Sequence, residues 1–144
     1  MDRQPALDRL SPLIGEWSMH TSLGPAAGRA SFEWALGGQY LLERTGIPDV
    51  PEAPDGLAII EVDPQGSYLQ HYYDSRGVTR LYSMTFEDGT WTLLRDKPDF
   101  SPLDFAQRYV GELDPDGDTI DGRWETSEDG TTWRLDFTLT YHRR

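Results

Sequence analysis

Within PALDRLSPLI, Leu7, Leu10, Leu13 and Ile14 recur at spacings of three and four, the apolar stripe of a short helix over residues 5–14. Pro12 limits that helix to about two turns. From Gly15 the period becomes two: Trp17, Met19, Thr21 and Leu23 share one face of a first strand, and Glu16, Ser18, His20 and Ser22 the other. After a GPAAG loop, Ala30, Phe32 and Trp34 alternate with Ser31 and Glu33. Gly37-Gly38 then turns the chain into YLLERT, so strands two and three form a hairpin. IPDVPEAPDG carries three prolines, which a sheet interior rejects, and reads as a surface loop.

The same alternation continues through LAIIEV and SYLQHYY, separated by the turn DPQG. Strand six places Val78, Arg80, Tyr82, Met84 and Phe86 on one face, strand seven Trp91, Leu93 and Arg95, and strand eight Phe105, Gln107, Tyr109, Gly111 and Leu113. Strand nine contributes Ile120, Gly122 and Trp124. Strand ten has the most regular alternation in the chain, with Trp133, Leu135, Phe137, Leu139 and Tyr141 on one face. Ten short antiparallel strands joined by turns predict an all-β, up-and-down meander, and closing it into a barrel over residues 15–142 removes both exposed edges. The N-terminal helix is then expected to plug one end, and residues 1–144 read as a single domain. A barrel of about ten strands is wide enough to hold a small ligand beside its own side chains.

Composition narrows the function. Five Trp, seven Tyr and five Phe make the expected core largely aromatic. The net charge of −12 argues against nucleic acid and anionic membranes as partners. With no cysteine, disulfides and thiolate metal sites are excluded. The N-terminus lacks the basic stretch and apolar run of a signal peptide, and no run of ~18 apolar residues occurs, so a soluble cytoplasmic protein is expected. Neither a phosphate-binding glycine loop nor an HExxH or GxSxG motif is present.

Candidate chemistry follows from the inward faces. Arg80 and Arg95 fall beside Tyr82, Trp91 and Leu93, with Gln107 and Tyr109 on the next strand. A buried guanidinium is costly unless paired, so each needs a carboxylate, from Glu43, Glu61, Asp74 or Asp96 or from a ligand. Ordinary ion pairs at the barrel mouth are the alternative. In QHYYDSR, Gln70, Tyr72 and Asp74 share one face and His71 and Tyr73 the other. Asp74 and Arg76 flank a turn, whereas His71 is a candidate general base or metal or heme ligand. Tyr72, His71 and Trp124 complete the candidate ligand-contacting set with Arg80, Tyr82, Arg95, Gln107 and Tyr109. Trp17, Trp124 and Trp133 read as core residues. Asp114, Asp116, Asp118 and Glu125 echo a calcium loop, but Gly117 falls at its fourth position instead of the sixth, and a hairpin turn explains them. No metal site and no cofactor is called for.

LxGxW at Leu13, Gly15 and Trp17, with FEWALGGQYLLER, DSRGV, DGTWTLLRD, DGDTIDGRWE and TWRLDFTLTY, resembles a calycin-type barrel over residues 13–142. That superfamily includes lipocalins, fatty-acid-binding proteins and nitrobindin-like heme barrels, and the segments are most similar to a bacterial lipocalin-like group with no assigned reaction. The resemblance implies the barrel and a ligand cavity. In fatty-acid-binding proteins an interior arginine with a tyrosine holds the ligand carboxylate, and Arg80 with Tyr82 fits that pairing. A heme ligand would have to come from a late histidine facing inward, and His142, like His20, falls opposite the apolar face. The expectation is a binder of a small hydrophobic or amphipathic molecule with an anionic or polar end. Behind it stand a cofactor-independent isomerase or cyclase using His71, Asp74 or a tyrosine, and a homodimer formed through Leu81 or Leu94.

Overall fold

The computed structural model describes residues 2–144. A short helix, α1 (Gln4–Asp8), and one 3-10 turn (Ser11–Leu13) precede ten strands: β1 (Gly15–Thr21), β2 (Gly24–Ala35), β3 (Tyr40–Gly46), β4 (Gly56–Val62), β5 (Tyr68–Asp74), β6 (Thr79–Glu87), β7 (Thr90–Arg95), β8 (Ala106–Leu113), β9 (Thr119–Ser127) and β10 (Arg134–Arg143). Each strand pairs antiparallel with the next. β10 returns to β1, from Trp17 opposite Arg143 to Thr21 opposite Leu139, and closes the barrel. The expected all-β meander with its N-terminal helix is the observed architecture.

The helical segment is shorter and broken. Leu10 and Leu13 donate their amides to the carbonyls three residues back, so the chain tightens around Pro12 without running as one helix. The apolar stripe still does what its spacing implies: Ala6, Leu7, Leu10 and Leu13 are buried against one end of the barrel. Three polar side chains hold this plug. The Tyr68 hydroxyl donates to the Ala6 carbonyl at 2.6 Å, Trp17 Nε1 donates to Leu13 O at 2.9 Å, and Arg143 donates to Ile14 O and Pro12 O while its guanidinium lies 4.1 Å from the centre of the Trp17 ring.

Two strands depart from the alternation. β2 starts at Gly24, so GPAAG is strand and not loop; Gly28 packs under the Met19 side chain, where a β-carbon would stand 2.8 Å from its Cε. Leu23 consequently sits in the tight β1–β2 turn and is exposed, away from the inward face assigned to it. In β10 the register slips between Leu135 and Phe137. That bulge inverts everything before it. Phe137, Leu139 and Tyr141 face inward, whereas Leu135 is exposed and Trp133 lies outside the barrel, its ring 4.2 Å below the Arg108 guanidinium that also pairs with Glu125. Trp133 is therefore not a core residue.

The plugged half is packed by aromatic rings. Trp91 meets Tyr109 edge-on at 5.3 Å and Phe32 at 6.0 Å, and Trp17 meets Tyr141 at 6.3 Å.

Candidate functional site

Between the aromatic layer and the unplugged end lies an interior cavity of about 370 Å³. Six of the eight expected site residues line it: Arg80, Tyr82, Tyr72, Gln107, Tyr109 and Trp124. The other two stand elsewhere. His71 is on the outer face of β5, its Nε2 2.9 Å from Glu61 Oε1. Arg95 points inward from β7 but is taken up by the loop that follows it.

That loop explains the arginine. KPDFSPL folds back so that Asp99 receives Arg95 Nε at 2.8 Å and Nη2 at 2.9 Å, a two-pronged pair with both side chains under 5% exposed. The Asp99 carboxylate also accepts the Leu81 amide at 2.9 Å, just beyond Ser83–Leu94, the last ladder pair between β6 and β7. Arg95 above all holds the Asp99 carboxyl well below the usual range. The partner is thus none of the four acids expected. Glu61 engages His71, Asp74 engages Arg76, Asp96 is exposed, and Glu43 meets no arginine.

Arg80 is left without an acid. Its guanidinium reaches only Thr79 O and Ser101 Oγ, both at 3.4 Å, and among the described residues no carboxylate comes within ion-pair distance. It stands on the face of Tyr82, two residues on, whose phenol is pushed up to about 12, chiefly by burial. Nearby, Tyr72 donates to Asp74 at 3.0 Å and Arg76 grips the same oxygen, which lowers Asp74 to about 2. The mouth is thus a polar ring. Ile47 and Pro54, from the proline-rich β3–β4 loop, close its side; that loop is tied to the β5–β6 turn by Ser75 and Asp55.

The floor contains a residue considered from the sequence only as an arginine's partner. Glu43 on β3 is 5% exposed, lines the cavity, and accepts the Tyr141 hydroxyl across the barrel at 3.4 Å. Burial raises its carboxyl from 4.5 to about 7, the Tyr141 hydrogen bond opposing only in part. Around it, Tyr109 lies along the facing glycines Gly111 and Gly122 and donates to Leu139 O at 3.1 Å. The period-two reading of LLERTG already puts Glu43 on the face of Leu41 and Thr45, which was the available signal.

None of His20, His71 or His142 lines the cavity; His20 and His142 are exposed on the outer face, their rings 5.3 Å apart. The lining residues therefore do not offer a heme iron the histidine ligand that a nitrobindin-like site needs. Asp114, Asp116 and Asp118 form a hairpin turn around Gly117, and among the described residues no group of three His, Cys, Asp or Glu side chains is arranged to hold a metal ion. Among the described residues no helix is long and apolar enough to cross a membrane.

Fold and site together define a closed ten-stranded antiparallel barrel with one plugged end and an aromatic cavity open at the other. Among solved structures the chain is similar to the crystal structure of Rv2717c from M. tuberculosis, with a TM-score of 0.62 at 17% identity, covering 97% of this chain and 98% of that one. The likeness is one of fold. No protein-family model matches the chain, and no curated protein does.

Proposed function

We propose that the barrel binds a small amphipathic molecule, its apolar body among the cavity aromatics and its anionic end at Arg80. The observation that carries this is the contrast among the arginines: Arg76 and Arg95 have acids of their own, and Arg80, on the cavity wall, has none. The pairing of Arg80 with Tyr82 and the resemblance to calycin-type barrels point the same way. Two fluorescent probes test it, anilinonaphthalene sulfonate and the uncharged N-phenylnaphthylamine, read also through quenching of Trp91 and Trp124. The sulfonate is expected to bind more tightly, and Arg80→Gln to weaken it about tenfold while sparing the neutral probe; Arg44→Gln, on the outer surface, is the control. Equal binding of both probes, unaffected by Arg80→Gln, overturns the reading.

A proton-transfer enzyme is the second reading, favoured by Glu43 in place of His71 and Asp74. A cavity carboxyl that titrates near neutrality suits general acid–base work. Its test is native mass spectrometry of the protein from its own host, followed by incubation of any co-purified compound in D₂O. Exchange of a carbon-bound hydrogen that Glu43→Gln abolishes supports it; no exchange removes it.

A further inference from the structure

Two side chains of the cavity wall can carry charge that the fold leaves uncompensated, and their signs are opposite. Arg80, at the mouth, has no acid within ion-pair distance, and Glu43, at the floor, meets no cation among the described residues. Of the Glu43 carboxyl, Oε2 accepts from Tyr141, and Oε1 takes no hydrogen bond from the chain. The unpartnered side-chain atoms that packing seals off are Arg3 Nε, Gln70 Oε1 and Trp91 Nε1, and Glu43 Oε1 is not one of them. On a residue 5% exposed whose side chain lines the cavity, that oxygen opens onto the cavity. The Tyr141 ring that holds the carboxyl is itself 5.8 Å from Trp91 and 6.5 Å from Tyr109 between centres, and all three rings line the same space. An acid with a free oxygen beside aromatic faces is the chemistry that recognises an organic cation.

We propose that Glu43, with the rings of Tyr141, Tyr109 and Trp91, forms a cation subsite, so that the ligand held at Arg80 is zwitterionic, with an amine at the floor and an anionic group at the mouth. This rests on the binding reading above and narrows it to one class of ligand. An ammonium donates to Glu43 Oε1 and lies against the ring faces, which offsets the cost of burying it. A second carboxylate would face Glu43 and gain nothing, and a methyl end leaves the carboxyl unpaired. A hydroxyl satisfies the free oxygen but not the charge.

Register and titration both bear on this pairing. Glu43 stands opposite Ala58, Ala58 opposite Tyr72, and Tyr72 opposite Arg80. Three strand spacings of about 4.8 Å put the two backbone positions at most about 14 Å apart along the wall, before either side chain reaches inward, so one elongated molecule touches both. The other proton-bearing groups of the lining are Tyr72 on β5, Arg76 after it, Arg80 and Tyr82 on β6, Tyr109 on β8 and Tyr141 on β10. The strands flanking β3 set only Phe32 and Ala58 opposite Glu43. Burial raises all four phenols, and an arginine does not titrate near neutrality. Glu43, raised to about 7, is thus the cavity group that changes charge between pH 6 and pH 8. A cation bound there is held more tightly as pH rises through that range.

Calorimetric titration with octanoate, 8-hydroxyoctanoate and 8-aminooctanoate tests the proposal, because the three share the anionic end and differ only at the other. At about pH 8 the amino acid is expected to bind the wild-type protein about tenfold more tightly than octanoate, with the hydroxy acid well below it. A purely apolar floor gives the opposite order, since the ammonium would be desolvated for nothing. Between about pH 6 and pH 8 the advantage of the amino acid is expected to grow about tenfold, following ionisation of one carboxyl. In Glu43→Gln, which keeps an acceptor for Tyr141, the advantage and its pH dependence are both expected to vanish. In Arg80→Gln octanoate and the amino acid weaken together while their ratio holds. A wild-type protein that binds octanoate or the hydroxy acid as tightly as the amino acid at pH 8 overturns the cation subsite and leaves the Arg80 reading standing. If the amino acid keeps its advantage while Arg80→Gln weakens neither compound, the Arg80 reading fails and the cation subsite stands. Failure of all three to bind overturns both.

Discussion

Glu43 makes the stability of this protein depend on pH in a direction opposite to that of most carboxylates. Its carboxyl titrates at 4.5 when unfolded and about 7 in the barrel, so the folded state binds the proton more tightly. The resulting destabilisation is absent below the lower value, grows as pH rises between the two, and is constant above about 7, where it amounts to roughly 3 kcal/mol. Glu43→Gln stays neutral throughout and still accepts from Tyr141. Urea melts are expected to show it nearly equal to the wild type at about pH 4.5 and about 3 kcal/mol more stable at about pH 8; the same advantage at both values refutes the burial argument. Glu43 was legible, since alternation alone puts it on the face of Leu41. Asp99 was not: it lies in a proline-bounded loop with no period. It is placed by the Leu81 amide and the Arg95 guanidinium, contacts between positions that no local pattern relates.

The pairing of β8 with β9 depends on space that glycine leaves. Gly111 and Gly122 face each other across the ladder, and Tyr109 lies over both; a β-carbon on Gly122 would fall on the tyrosine ring and hydroxyl. A side chain ordinarily strengthens a strand relative to glycine. Here Gly122→Ala is expected to destabilise by about 1–3 kcal/mol in denaturant melts, as overpacking does. The loss should shrink in a Tyr109→Leu background, and a Gly122→Ala protein at least as stable as wild type defeats the packing argument. Elements of this kind were readable where neighbours in sequence pair through a glycine turn, as β6 with β7 and β8 with β9 do. They were misread where one extra residue changes the phase. The bulge between Leu135 and Phe137 leaves the hydrophobic pattern of β10 intact while moving Trp133 and Leu135 outside. Periodicity records alternation and is blind to a slip that only the partner strand reveals.

The whole molecule carries −12, and much of that charge sits on exposed turns, among them Asp55, Asp88, Asp114, Asp116, Asp118 and Glu128. Such a shell repels itself in the compact state. Two destabilising electrostatic effects therefore act near neutral pH, one from the shell and one from Glu43, and both weaken as pH falls. Salt separates them. Raising ionic strength from about 10 to about 150 mM shortens the screening length from roughly 30 to 8 Å, which quiets repulsion between exposed acids. The cost of burying Glu43 arises from desolvation and stays. At about pH 7 the wild type is expected to gain on the order of 1 kcal/mol over that salt range, some 3 °C in melting temperature, and Glu43→Gln to gain the same increment from a higher start. If salt instead lowers the melting temperature, then local pairs such as Arg95–Asp99 and Arg108–Glu125 outweigh the net charge, and the acidic shell is electrostatically neutral to folding.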